Sequence, residues 1–336
     1  MKFFQHQARA KHRTLKLLLL MALAVSCLIS VSSLGIGLLL RELLHESSQP
    51  KELSWTIVTV VALLMLLVVL LGSGYKTWRL RAGGKVIAEF FGGRLINAAP
   101  RDHDEQRLLN IVEEMALASG SVMPGVYVLP DASINAFAAG LDPEHAVLGV
   151  TRGAITHLNR EELQGMIAHE FSHIHNGDMR LNTRLLSVIH GLLVFSLAGM
   201  ALLRQAEQQH LSSDRNRFIW QIVFALLGLA LLILGSLGTL LGNLIKAAIC
   251  RQREFLADAS AVQFTRTPLG ISGALKKIGG CSAGSRLEVF SATQYSHMFF
   301  HQGLKRRLGR LLATHPPLAT RIQRLDPQWD GRFAVL

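Results

Sequence analysis

Cysteine is scarce in this chain: three residues among 336, Cys27, Cys250 and Cys281, with no paired spacing. That scarcity excludes a disulfide framework and a thiolate metal cluster, and it fits a reducing compartment. No internal repeat or low-complexity tract is present. Nor is there a basic stripe interleaved with aromatic residues, so the net charge of +12 does not point to nucleic acid. The cations lie instead at the borders of apolar segments and near the C-terminus, where membrane topology and anionic lipid account for them.

Charge is also absent from long stretches. Half of the residues are hydrophobic, and they are clustered. Residues 15–40 and 55–74 carry no charge beyond Lys16, and each is long enough to cross a hydrocarbon layer roughly 30 Å thick. Residues 218–245 form another such run, with glycines at 228, 235, 238 and 242. Residues 185–203 are a weaker candidate, broken by His190 and by small residues. Four membrane spans are therefore expected. Gly238 and Gly242 satisfy G-x-x-x-G, which favours close helix packing.

Lys2, Arg9, Lys11, Arg13 and Lys16 precede the first apolar run, in the manner of a signal peptide. The run is too long for that role, and no small-residue cleavage pattern ends it before Arg41, so an uncleaved anchor is expected. Lys76, Arg79, Arg81 and Lys85 follow the second run, whereas the intervening loop carries only Arg41 and Lys51 against three glutamates. The positive-inside rule then places the N-terminus and the residues from 76 onward in the cytoplasm, on a multi-pass protein of a plasma or inner membrane. Arg204, Arg215 and Arg217 run mildly against this rule.

The organisation expected is a basic N-terminus with two spans (1–75), a first polar piece (76–184), a transmembrane hairpin (185–245) and a second polar piece (246–336). The two polar pieces together suffice for one core. Residues 104–119 show helical spacing with carboxylates in the opening turns. Residues 126–129 and 146–151 read as strands, with 135–140 turning between them. Asn159 reads as a helix cap, followed by glutamates at 161 and 162 and a helix that ends near His175, where Asn176 and Gly177 stop it. Further helices are expected over 244–264, over 267–279 and after Pro316 and Pro317.

The chemistry lies in that capped helix. His169-Glu170-Phe171-Ser172-His173 places two imidazoles four residues apart on one face, able to reach one metal. Glu170, offset by one position, lies beside an open coordination position, where it can take a proton from water. A catalytic zinc takes three protein ligands, and Glu254, in Arg253-Glu254-Phe255-Leu256-Ala257-Asp258, is the third candidate. Asp258 is four residues further on the same face and could orient a ligand histidine. Two spans separate His173 from Glu254, an even number, so both return to one side of the membrane.

His169 to Met179, Arg253 to Ala259, Ile134 to Gly140 and Thr314 to Ile322 appear in an order that resembles the HtpX-like branch of membrane zinc metalloproteases, a family related to the CAAX prenyl proteases. The resemblance runs over about residues 88–325. It implies a gluzincin: an α+β, mainly helical zincin-type domain with a small β-sheet on a multi-span helical anchor. One zinc ion per chain would be held by His169, His173 and Glu254, with Glu170 as general base and Asp258 as a partner behind a ligand. It further implies that a substrate backbone pairs with an edge strand, for which 146–151 is the candidate, and that 135–140 line the cleft. His175 and Phe255 depart from the family's usual residues. His297 stands where some relatives carry a histidine near the metal, a candidate for oxyanion stabilisation or a latency switch, and His315 is expected to serve structure. The activity expected is hydrolysis of internal peptide bonds in membrane or misfolded proteins at the bilayer. A CAAX-type protease and a non-catalytic zinc-dependent scaffold are the alternatives.

Overall fold

The computed structural model describes residues 3–44, 51–80, 83–208, 215–281 and 311–334. The chain divides into two compact units, one comprising residues 17–80 and 184–245 and the other residues 1–16, 81–183 and 246–336.

The first unit is built from four long helices, α1 (Phe3–Leu44), α2 (Lys51–Arg79), α7 (Asp178–Gln208) and α8 (Arg215–Thr265), each long and apolar enough to cross a membrane. Leu19, Leu23, Leu63, Leu71, Ile233 and Leu237 point outward, as lipid-facing side chains must. Met65, Val69, Leu192 and Phe195 fill the interior. Helices in lipid approach closely only where side chains are small. A Cβ on Gly191 would lie 2.5 Å from the Val69 carbonyl oxygen, one on Gly199 2.6 Å from that of Gly228, and one on Gly242 2.9 Å from Ile189. Thr77 donates to Ser187 at 2.9 Å, and His190 stacks on Tyr75 with ring centroids 6.3 Å apart. The apolar window of α7 is 44% buried against 11–17% in the other three. The third apolar segment is thus the one most enclosed by protein, which explains its small residues and its weak hydropathy.

The second unit holds a four-stranded sheet, β1 (Arg94–Leu95), β2 (Gly125–Leu129), β3 (Ala136–Ala139) and β4 (Val147–Thr151), in the order β1-β2-β4-β3. β2 and β4 run parallel; the other neighbours are antiparallel. Two expectations are corrected here. Residues 136–139 form a strand rather than a turn, and β4 lies inside the sheet, whose outer strands are β1 and, next to β4, β3. The turn falls after Gly140, whose φ of 154° lies in the region open to glycine, and continues through a 3₁₀ turn at Pro143–His145. The run Ala-Phe-Ala-Ala shows no polar alternation because both its faces are covered. Ala138 packs with Ile174 and Met179, whereas Phe137 and Ala139 pack with Ala88 and Phe91.

Helix α3 (Gly83–Phe90) and the amphipathic α4 (His103–Ser119), capped by Asp102, flank the sheet, and α5 (Arg152–His157) continues directly from β4. The buried α6 (Arg160–His175) follows. Its start is a capping box: Asn159 Oδ1 accepts from the Glu162 N–H, and Glu162 Oε2 accepts from the Asn159 N–H, both at 2.9 Å. Leu108, Ile111 and Met115 of α4 pack in one core with Leu163, Ile167 and Phe171 of α6. Ile271 and Leu275 of α9 (Leu269–Gly280) and Ile322 of α10 (Leu318–Leu325) complete it.

Helices α6 and α9 cross at a pair of glycines. A Cβ on Gly165 would sit 2.3 Å from the Ile271 nitrogen, and one on Gly270 2.3 Å from the Glu161 carbonyl oxygen. Backbone cannot yield as a flexible side chain can, so Gly165→Val is expected to lower the thermal midpoint of the detergent-purified protein by several degrees; overpacking costs about 1–3 kcal/mol, and each kcal/mol moves a domain of this size by roughly 2–4 °C. An unchanged melting curve would refute the tight crossing.

Candidate metal centre

Helix α6 carries His169, Glu170 and His173, all near its C-terminal end, and α8 brings Glu254 and Asp258 to the same place. His169 Nε2 lies 3.2 Å from His173 Nε2, and each of these nitrogens lies 3.6 Å from a carboxylate oxygen of Glu254. Donors held at zinc–ligand distances around a tetrahedral centre are about 3.3–3.6 Å apart, so this triangle has the size such a cation requires. It combines two neutral donors with one anionic donor.

Both imidazoles are held from behind. His169 Nδ1 is 3.0 Å from Asp258 Oδ1, and His173 Nδ1 is 2.8 Å from Asp178 Oδ2. A carboxylate at Nδ1 fixes the proton there and leaves the Nε2 lone pair directed at the shared centre. Each carboxylate is itself gripped by an arginine. Arg321, fully buried, donates to Asp258 from Nε at 2.9 Å and from Nη2 at 2.6 Å, and Arg253 pairs with Asp178. Arg321 Nη1 also reaches to 3.3 Å from Glu254 Oε2, and His315 Nδ1 to 2.9 Å from the same oxygen.

Glu170 stands apart from these pairs. It is 1% exposed, and among the described residues neither of its carboxylate oxygens has a hydrogen-bond partner. A buried unpaired carboxylate is costly, and its presence beside three convergent donors is what a polar or cationic occupant would offset. Burial pushes the Glu170 carboxyl above the ordinary carboxylate range, against the pull of His173 and His169. For His173 burial acts in the opposite sense, favouring the neutral ring. The hydrogen bond and charge of Asp178, with Glu254 and Glu170 nearby, override it and bring the imidazole up to about 9.

The structure thus brings together the residues that sequence singled out as ligands, base and orienting carboxylate. His297 lies outside the described residues. Asp178, Arg253 and Arg321 went unrecognised as parts of the site. The available signal for Asp178 was its position five residues after His173, just past the glycine that ends α6. Arg321 lies within the Thr314 to Ile322 motif, but nothing in its spacing tied it to Asp258, 63 residues earlier. His315, expected to serve structure, sits against the proposed third ligand. Of the two residues that depart from the family's usual pattern, His175 is exposed beside Phe264, and Phe255 lies under the Arg324 guanidinium.

Residues 102–328 match peptidase family M48. The chain is similar to the protease HtpX homologue of Lactobacillus acidophilus, with 37% identity over 228 residues, which is 67% of this chain and 74% of that protein. The homologue of Caldanaerobacter subterraneus is 41% identical over 237 residues, 68% of this chain and 75% of its own. That of Dictyoglomus turgidum is 34% identical over 266 residues, 79% and 81% respectively. Among solved structures, S. mikatae Ste24p aligns with 94% of this chain and 66% of its own at 16% identity, with a TM-score of 0.40.

Two measurements follow from this geometry. Asp178→Asn is expected to weaken metal affinity by about 10–100-fold, read by competition with a chromophoric chelator, because loss of a carboxylate behind a ligand imidazole loosens its orientation. In chelator-stripped protein His173 holds its proton up to about pH 9. A metal taking Nε2 must displace that proton, so apparent affinity should rise with pH below 9, by up to about tenfold per unit for one proton. The raised value also means that His173 stabilises the metal-free fold fully below its ordinary 6.5 and loses that contribution as pH climbs through about 9. A pH-independent affinity between 6.5 and 8.5 would contradict the His173–Asp178 pairing.

Proposed function

The chain belongs to peptidase family M48 and is an integral membrane metalloprotease; from that premise we propose that it is a zinc endopeptidase. In this reading His169, His173 and Glu254 hold the metal and Glu170 moves the proton. The observation that carries it is the triangle of His169, His173 and Glu254 donor atoms at 3.2–3.6 Å beside the partnerless carboxylate of Glu170. Zinc bound there supplies a Lewis acid that polarises the scissile carbonyl and acidifies water. Glu170 accepts the proton of the attacking water and returns it to the leaving amine nitrogen, a task suited to a carboxyl that burial has raised. Asp258 and Asp178 keep each histidine in the tautomer that presents Nε2. Arg321 and His315 hold the Glu254 oxygen that faces them.

The extended substrate pairs with the outer edge of β3, the strand packed on α6. The catalytic unit faces the cytoplasm in this reading, supported by basic residues before the first span and after the second. Substrates are membrane proteins or damaged chains at the bilayer surface, a choice supported by the two apolar helices, α7 and α8, whose sequences run directly into the site's residues. Finding cleavage of soluble peptides alone, with no membrane protein cut, would overturn that choice.

Glu170→Gln purified in detergent should keep stoichiometric zinc and lose cleavage of casein and of a membrane substrate by about 10²–10⁴-fold, the usual weight of a positioned general base. Glu254→Ala should lose zinc and cleavage together. Equal activity of Glu170→Gln and wild type would remove the base assignment. Zinc-loaded wild type that cuts nothing would favour a scaffold.

A further inference from the structure

Asp258 also lines a cavity of about 350 Å³, together with Arg9, Arg13, Arg324, Gln252 and Phe255 among others. The size falls within the range of small-molecule sites, about 300–1,000 Å³. Three arginines, each of them solvent-exposed, line this one cavity, and among the described residues no carboxylate forms an ion pair with Arg9, Arg13 or Arg324. The acid in the wall, Asp258, is already committed: both its oxygens receive Arg321, and Oδ1 lies 3.0 Å from His169. Burial lowers the Arg324 guanidinium from its ordinary value, with Arg13 acting in the same direction and Asp258 in the opposite one. Arg324 lies over Phe255, with its central carbon 3.5 Å from the centroid of the ring. A guanidinium stacked in this way keeps its N–H edge free to bind in plane.

We propose that this cavity is a binding site for a phosphate-bearing anion, clasped between Arg9 and Arg13 of α1 and Arg324 of α10. Arginine forks match phosphate oxygens in pairs, and a dianion or phosphodiester would offset three like charges against which the cavity wall sets one carboxylate, Asp258, itself shared with Arg321. Arg13 stands two residues before the first apolar run, at the level where lipid headgroups lie, so the phosphate can come from a lipid or from solution. Arg324 follows Arg321 by three residues on α10, so an occupant would bear on the helix whose other arginine holds Asp258 and Glu254. The binding itself does not depend on the peptidase reading.

The test uses the full chain in neutral detergent, titrated by calorimetry with inorganic phosphate against chloride at equal ionic strength, and with dioctanoylphosphatidylglycerol against dioctanoylglycerol. Saturable binding of the phospholipid alone assigns the site to a headgroup; binding of both assigns it to phosphate as such. Binding of neither beyond its control overturns the proposal. Arg13→Gln and Arg324→Gln should each weaken the affinity by about tenfold, the loss of one charge-assisted hydrogen bond. Lys11→Gln, on the same helix but outside the cavity, should leave it unchanged. If Lys11→Gln weakens binding as much as Arg13→Gln, the attraction is that of a general basic surface and the pocket assignment fails. Should Arg324→Gln not fold, Arg9→Gln takes its place beside Arg13→Gln.

Discussion

Two Arg–Asp–His chains converge on one point, and the site depends on them: Arg321–Asp258–His169 from one side and Arg253–Asp178–His173 from the other. An imidazole alone on a helix can rotate about two bonds and can present either nitrogen. A carboxylate at Nδ1 removes both freedoms, and an arginine behind that carboxylate stops it from following the ring. The result is a pair of Nε2 atoms aimed at a common centre before any cation arrives, so that little positional reorganisation remains to oppose binding.

Burying this many charges would be destabilising if they were isolated. Here each charge of the site has a partner of opposite sign at hydrogen-bonding distance among the described residues, except Glu170. In the proposed mechanism the exception falls on the one residue that must not be paired: a base locked into an ion pair would be too weak to accept a proton. The surrounding core has no slack to let these groups drift. Helix α6 is packed on its remaining faces by α4, α9 and β3, and its crossing with α9 is so close that both contact positions are glycine.

The membrane unit answers a different constraint. Lipid gives helices no hydrophobic reason to associate, so their packing rests on small residues and a few hydrogen bonds. The bundle follows this rule at Gly191, Gly199, Gly235 and Gly242, and at the Thr77–Ser187 and Ser196–Ser236 contacts. The most enclosed helix is the least hydrophobic by sequence, because a helix surrounded by protein meets other helices rather than lipid. Hydropathy therefore detects the outward-facing members of a bundle more readily than its interior one.

Sequence alone determined what is local. The apolar runs, the capped helix with histidines four residues apart, the stop at Asn176 and Gly177, and the charged helix with Glu254 and Asp258 are all periodic or short-range patterns, and each lies where it was expected. What depends on long-range approach was decided by the tertiary structure. The strand at residues 136–139 carries no alternation because both its faces are buried, and the edge of the sheet is fixed by strand order, which no single strand encodes. Asp178, Arg253 and Arg321 meet the site from three separate helices and His315 from the loop before α10, and Arg321 does so 152 residues away from His169. A charge acts through distance in space; its sequence position carries no trace of the partner that folding will bring beside it.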